Sequence, residues 1–340
     1  MKVLVTGGLG FIGSNLIRLL LSERPRWRIL NLDLVTYAAN PENLVGIEEG
    51  AGYALIRGDV ADRALVGELY RSERFDAVIH CAAETHVDRS LEDSGQFLRT
   101  NVEGTLVLLE AAQAIGGVRH VQVGTDEVYG TLAPGDPPFT EQTPLRPRSP
   151  YSASKAAADH LAAAFQCSHG LDVVLTRCSN NYGPYQHPEK LIPLAVTSAL
   201  RGLPVPVYGD GRQRRDWIHV EDHCRGLLAA LERGRAGEVY NFGGTADWDN
   251  IDVVRAIVRL LRANESLITF VADRPGHDRR YEVDDRKAAS ELGWCAGRDF
   301  REGLEATVRW YSAHRSWWER SAHRAYEASH RRVTAWGAKA

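Results

Sequence analysis

A short β-branched run, Val3-Leu4-Val5, breaks at once into Thr6-Gly7-Gly8-Leu9-Gly10-Phe11-Ile12-Gly13 and then into a helical pattern. This order satisfies both G-x-x-G-x-x-G and G-x-G-x-x-G, and it restricts the possible folds more than any other stretch of the chain. Glycines at such a turn let the backbone bend sharply and approach a pyrophosphate. The first turn of the following helix offers free N–H donors and partial positive charge to the same anion. The next strand-like run, Arg28–Leu32, leads into Asp33, 20 residues beyond Gly13, where a carboxylate accepts hydrogen bonds from an adenosine ribose. Asp33 also repels a 2′-phosphate, and no arginine directly follows it in Asp33-Leu-Val-Thr-Tyr37. NAD is therefore the expected cofactor in preference to NADP.

Tyr53–Arg57, Ala77–His80, Val118–Val123 and Val173–Thr176 read as further strands, with helix-period segments between most of them. That alternation predicts an α/β fold with a Rossmann-type doubly wound parallel sheet. Ala77–Ala83 and Val118–Val123 are apolar on both faces, as in central strands. After Arg177 the rhythm changes. Asn180–Tyr185 and Pro204–Pro206 are rich in turn-formers, and helix-like stretches near Glu189–Arg201 and Asn250–Arg262 follow. Val220–Leu231 and then Glu238–Asn241 again read helix then strand. The expected division is a NAD-binding domain over 1–176 plus about 217–243, and a smaller C-terminal substrate-binding domain over about 177–216 plus 244–311. The tail 312–340 carries Arg315, Arg320, Arg324, Arg331, Arg332 and Lys339 against Glu319 and Glu327, with Trp317, Trp318 and Trp336. It is expected to be a peripheral helix with a frayed end.

A net charge of −3 over 340 residues gives no electrostatic reason to expect nucleic acid or an anionic membrane as partner. No run reaches the roughly 20 apolar residues needed to span a bilayer. Met1–Val5 leads straight into the glycine turn without a signal-peptide pattern, so a cytoplasmic location is expected. Cys81, Cys167, Cys178, Cys224 and Cys295 form no C-x-x-C pair and read as packing residues. His219 and His223 lack a third ligand, so no metal is expected.

Tyr151 and Lys155 stand i, i+4 in an Ala-rich helical stretch and so share one face. A nearby ammonium lowers a phenol's pKa from about 10, an oxidised nicotinamide adds further positive charge, and the phenolate then serves as a general base for an alcohol. Thr125-Asp126-Glu127 follows the Val118–Val123 strand at the sheet edge where doubly wound folds place ligands. Adjacent strand residues point to opposite faces, so both carboxyls serve one site only if the chain leaves the extended conformation there. Dehydration gives a use for both, one as acid and one as base, and the acid must have its pKa raised by burial or by its neighbour's charge. Asp59-Val60 either faces an adenine or, through Asp59, caps the helix that enters Arg63–Tyr70.

Taken together, these strings resemble the extended short-chain dehydrogenase/reductases, and among them the dTDP-glucose 4,6-dehydratases. The residues that carry the resemblance are T-G-G-L-G-F-I-G at 6–13, A-A-E-T-H-V-D-R-S at 82–90, T-D-E-V-Y-G at 125–130, Y-S-A-S-K at 151–155, R-C-S-N-N-Y-G-P-Y-Q at 177–186, P-E-K-L-I-P at 188–193, R-D-W-I-H-V-E-D-H at 215–223 and R-P-G-H-D-R-R-Y at 274–281. The resemblance implies catalysis by Thr125, Asp126, Glu127, Tyr151 and Lys155. It places NAD on Gly7, Gly10, Phe11, Ile12, Gly13, Asp33, Thr36, Asp59, Val60, Ala82, Ala83, Thr100, Tyr151, Lys155 and Asn181. It places dTDP-glucose on Thr85, Asn180, Lys190, Leu191, Pro206, Tyr208, Arg215, Asn250, Arg274 and His277, and it implies a homodimer formed by the helical stretches 92–114 and 151–169, whose Ala and Leu content fits packing on the sheet equally well. The implied reaction yields dTDP-4-keto-6-deoxyglucose. Leu34, His187 and Thr245–Asn250 depart from the family pattern around the nucleotide and leave the catalytic set intact. A 4-epimerase or decarboxylase on this fold needs Tyr151 and Lys155 but has small hydroxyl residues where Asp126 and Glu127 stand. A non-catalytic NAD-binding scaffold needs none of the four.

Overall fold

The computed structural model describes residues 1–337, so Lys339, and likewise the side chain of Trp336, lie outside the described residues. The chain opens with β1 (Lys2–Thr6), α1 (Phe11–Glu23), β2 (Arg28–Asp33), β3 (Tyr53–Arg57), α2 (Arg63–Glu73) and β4 (Ala77–His80). It continues with α3 (Val87–Glu92), the single-turn α4 (Ser94–Phe97), a π-helical stretch Leu98–Glu103, α5 (Gly104–Ile115), β5 (Arg119–Thr125), α6 (Pro150–His169) and β6 (Val173–Cys178). β7 (Asn180–Tyr182), α7 (Leu191–Leu200), β8 (Val205–Tyr208), β9 (Arg214–His219), α8 (Val220–Arg233) and β10 (Val239–Phe242) follow. The chain ends with β11 (Asp247–Asp249), α9 (Asn250–Leu260), β12 (Ile268–Val271), α10 (Arg286–Leu292), α11 (Phe300–Ala313) and α12 (Arg315–Gly337).

Seven strands form one sheet in the order β10-β6-β5-β4-β1-β2-β3, and every pairing in it is parallel. All four residues of β4 and all six of β6 are buried, because helices cover both faces. The strand order reverses beside β1, and the crevice beyond the carboxyl ends of the strands at that point is where such sheets bind ligands. β7, β9 and β11 make a second small sheet, and β8 pairs with β12. Around them Ile192, Val196, Val254, Ile257, Phe300 and Tyr311 form a separate core.

Two sequence expectations change here. Residues 244–311 do not all belong to the second core: Ala288 and Leu292 of α10, with Trp294, pack against α8 and β10 in the core of the large sheet. The tail is not peripheral either. α12 buries Trp318 completely, together with Ala322 and Ala325, and packs along α7. Burial of an indole outweighs the solvation of the arginines around it, since truncating such a residue costs on the order of 3–5 kcal/mol. No helix among the described residues is long and apolar enough to cross a membrane. Cys178 and Cys224 are buried, as packing residues should be, whereas Cys167 and Cys295 are exposed, so packing does not account for them.

Candidate active site

The glycine turn is shaped by contacts that no larger residue permits. Gly7 holds φ +69°, and a Cβ there would lie 2.7 Å from the Ala82 Cα; one on Gly13 would lie 2.3 Å from the Gly7 carbonyl. Asn31, which carried no role in the sequence reading, accepts from the Gly8 N–H at 2.9 Å and fixes the turn against β2. Both Asp33 oxygens take backbone N–H groups, Leu9 at 2.9 Å and Val35 at 2.7 Å. Each oxygen keeps a second lone pair for a ribose hydroxyl. Asp59 accepts from the Ala61 N–H and from Arg99, while Asp62 caps α2. The capping role left open for Asp59 thus belongs to Asp62.

The chemical residues come from two elements that meet beside β5, with α6 packed along β5 and β6. α6 begins with Pro150 at its first turn, and Ser149 and Ser152 form a reciprocal capping box. That start fixes Tyr151 and Lys155 on the buried face of the helix. Opposite them, β5 ends at Thr125 and Asp126–Tyr129 turns into one 3-10 turn, with Thr125 capping it through the Glu127 N–H at 3.3 Å. The turn removes the strand alternation, so Asp126 and Glu127 both face the cleft. Arg177 and Tyr129 hold the turn from behind: Arg177 donates to the Tyr129 hydroxyl at 2.9 Å and to Asp159 at 2.8 Å.

Asp126 is 1% exposed. One of its oxygens accepts from Thr125 at 3.3 Å, and the other, Oδ2, has no partner. Burial, then the neighbouring charges of Glu127 and Asp216, hold its carboxyl well above the usual carboxylate range. Glu127 is also raised by burial, but Arg274, Lys190 and Arg215 pull it back. Two adjacent carboxyls are thereby separated into a proton holder, Asp126, and a stronger acid, Glu127, that ionises more readily, the division that elimination needs. Asp216 was missed as a site residue. It accepts from Ser179 at 2.6 Å and from the Gly244 N–H at 2.9 Å, and burial pushes its pKa up to about 7.

The expectation that Lys155 lowers the Tyr151 pKa is corrected. Burial and then the charge of Glu127 raise the phenol well above its ordinary value. Lys155 is itself lowered by burial, and its ammonium donates to the Val123 carbonyl at 2.7 Å. In the protein alone the ammonium anchors α6 to β5, and Tyr151 stays protonated.

All residues assigned from the sequence to catalysis and to NAD line one cleft, which extends to Thr85, Asn180 and Lys190. Leu191, Pro206, Tyr208, Arg215, Asn250, Arg274 and His277 lie outside its lining, in the second lobe. Leu191 opens α7 and Asn250 opens α9, and Pro206 sits in β8 opposite Thr269. Arg215 stacks over Tyr281 with its guanidinium carbon 4.3 Å from the ring centre, and Tyr208 meets His277 edge-on. Arg274 pairs with Asp88 at 3.4 Å. Arg215 and Arg274 still act electrostatically on Glu127, so this cluster adjoins the cleft. Glu189, a second missed residue, joins the lobes by accepting from Tyr37 at 3.1 Å and Arg89 at 3.2 Å. Burial opposes its charge, yet His86, His187, Lys190 and Arg89 bring it down to about 2. His219 caps α8 and His223 bonds Asn181 at 2.9 Å. Both are lowered to about 3, first by burial.

Residues 4–307 match the family model described as GDP-mannose 4,6 dehydratase. A dTDP-glucose 4,6-dehydratase from Xanthomonas campestris pv. campestris (strain B100) is 49% identical over 332 residues, covering 92% of this chain and 94% of the relative. One from Streptomyces griseus is 51% identical over 323 residues, covering 93% and 96%. The chain belongs to the dTDP-glucose 4,6-dehydratase family. Its fold superimposes on a dTDP-glucose 4,6-dehydratase from Streptomyces venezuelae solved with NAD bound, with a TM-score of 0.90 at 47% identity over 94% of this chain and 99% of that one. A UDP-glucose 4-epimerase from Thermotoga maritima also shares the architecture, with a TM-score of 0.85 at 27% identity over 92% and 99%. Dehydratase and epimerase thus share one scaffold, and the fold alone does not separate them.

Proposed function

We propose that this protein converts dTDP-glucose to dTDP-4-keto-6-deoxyglucose by oxidation at C4, loss of water across C5 and C6, and return of hydride to C6. The observation that carries the reading is Asp126, a buried carboxyl raised well above its ordinary range. It stands on one turn with Glu127 and faces the same cleft as Tyr151 and Lys155. A 4-epimerase has no leaving hydroxyl to protonate and no use for such an acid.

Gly7, Gly10 and Phe11–Gly13 hold the pyrophosphate of NAD and Asp33 its ribose, along a wall completed by Thr36, Asp59, Val60, Ala82, Ala83, Thr100 and Asn181. When bound, NAD supplies the reversible hydride store for oxidation at C4 and reduction at C6. Arg215 and Arg274 bind the diphosphate, a geometry suited to guanidinium forks. Thr85, Asn180, Lys190, Leu191, Pro206, Tyr208, Asn250 and His277 complete the nucleotide-sugar site. Tyr151 accepts the 4-hydroxyl proton, with Thr125 and Lys155 assisting. Glu127 opposes the ionisation of Tyr151 that must precede this transfer, so the phenol becomes the base only when positive charge or neutralisation offsets it. The 4-ketone then acidifies the C5 proton, Glu127 removes it, and Asp126 protonates the 6-hydroxyl as it leaves as water. The same reading carries a homodimer, supported by the exposed Leu91 and Leu98 beside α4, and a cytoplasmic location.

Incubation with dTDP-glucose and, separately, UDP-glucose in deuterated water tests the reading. A 4-keto-6-deoxy product from dTDP-glucose with deuterium at C5 is expected. Formation of the 4-epimer without loss of water would overturn it.

A further inference from the structure

α12 begins at Arg315, beyond residue 307 where the family match ends, and yet it touches both halves of the site. At its start the Trp317 indole N–H donates to the Asn43 side chain at 2.9 Å. Asn43 in turn donates to the Leu9 carbonyl of the glycine turn at 2.9 Å. Near its end Arg332 is 9% exposed and grips Glu92 of α3 through Nε at 2.9 Å and a second nitrogen at 3.3 Å.

α3 is the element that the substrate cluster leans on. Asp88, one turn before Glu92, accepts from the Tyr208 hydroxyl at 3.0 Å and pairs with Arg274 at 3.4 Å. Thr85 precedes α3 directly, and its carbonyl accepts from Lys190 at 2.7 Å. The Arg274 Nε is buried without a partner, which leaves a donor for an anionic ligand. Burial works against the Asp88 charge, but His86, Arg274, Tyr208 and Arg332 together favour it. Arg332 therefore shares Asp88 with Arg274 electrostatically. Removing Arg332 strengthens the hold of Asp88 on Arg274 and releases the end of α3 beside Thr85.

We propose that α12 is a wall of the nucleotide-sugar site and that Arg332 is a positioning residue. It acts through Glu92 and Asp88 on Arg274, Tyr208 and Thr85, and so sets affinity for the nucleoside diphosphate. The assignment rests on the nucleotide-sugar reading above. The Glu92 side chain is 56% exposed and that of Arg332 9%, so the ion pair itself is worth little while truncation of Arg332 also removes packing, and the melting temperature is read beside affinity.

The test compares NAD-loaded wild type with Arg332→Ala, Arg332→Lys and the charge-swapped Arg332→Glu/Glu92→Arg. It reads dTDP binding by calorimetry, KM and kcat for dTDP-glucose, and melting temperature. Arg332→Ala should raise both the dTDP Kd and the KM roughly 2- to 5-fold with kcat within about 1.5-fold. Arg332→Lys should recover part of the loss, and the swap the part carried by the pair with Glu92. Unchanged Kd and KM in Arg332→Ala would overturn the proposal. So would a joint fall of affinity, kcat and melting temperature that the swap does not relieve, which is the mark of a merely structural contact. Wild type that binds dTDP without turning over dTDP-glucose sinks the proposed function, and the Kd comparison then still decides the role of Arg332.

Discussion

Asp126→Asn separates the acid from the rest of the site with the least disturbance. The replacement has the same shape, keeps an acceptor for Thr125, whose hydroxyl lies 3.3 Å from Oδ1, and carries no transferable proton. A positioned general acid contributes about 10²- to 10⁴-fold, so the barrier to elimination should rise by about 3–5 kcal/mol. C4 oxidation does not need this proton. Mixing the NAD-loaded variant with dTDP-glucose should therefore build up the reduced-nicotinamide absorbance to a near-stoichiometric plateau, while product forms at least a hundredfold more slowly. Stability provides an independent check. A carboxyl raised above its unfolded value of 3.8 gives its full stabilisation below that value and loses it as pH rises through the folded pKa. Asparagine has no such loss, so the variant should match or exceed wild type in melting temperature at alkaline pH. Turnover within threefold of wild type, or a melting temperature that falls further behind wild type as pH rises, would refute the assignment.

Two further substitutions probe other parts of the site. Glu127→Gln removes the charge that, after burial, holds the Tyr151 proton most strongly. The limb of single-turnover C4 oxidation that follows Tyr151 ionisation should move to lower pH while C5 deuterium exchange is lost, and an unmoved limb would argue against their coupling. Gly13→Ala places a methyl group 2.3 Å from the Gly7 carbonyl, a clash that must open the turn. NAD affinity should fall at least tenfold with a lower melting temperature, which NAD titration and thermal melts report.

What the sequence made legible was what lies in contiguous strings or at fixed helical spacing. The glycine turn, Asp33 and the Tyr151/Lys155 pair each follow from local backbone geometry, and the large sheet follows from strand runs that are apolar on both faces. Asp216 and Arg332 could not be read that way. Asp216 matters because the β9 to β11 sheet folds it toward Asp126, and the string R-D-W-I-H-V-E-D-H carried its identity without its neighbour. Arg332 meets a partner 240 residues away in sequence, whereas the composition of the tail suggested only a peripheral helix with a frayed end. Trp317 and Trp318 were the usable signal: indoles repeated beside a basic helix have to bury somewhere, and with Trp318 buried in the core that holds α7 the helix runs on until Arg332 meets Glu92. The misread Tyr151 pKa has the same origin. Lys155 is close in sequence and was counted, whereas the burial and the Glu127 charge that outweigh it come from packing two distant elements together. A charge near in sequence is therefore a poor guide to protonation when the fold adds burial and a charge of opposite effect, and the pH profile of Glu127→Gln measures the difference directly.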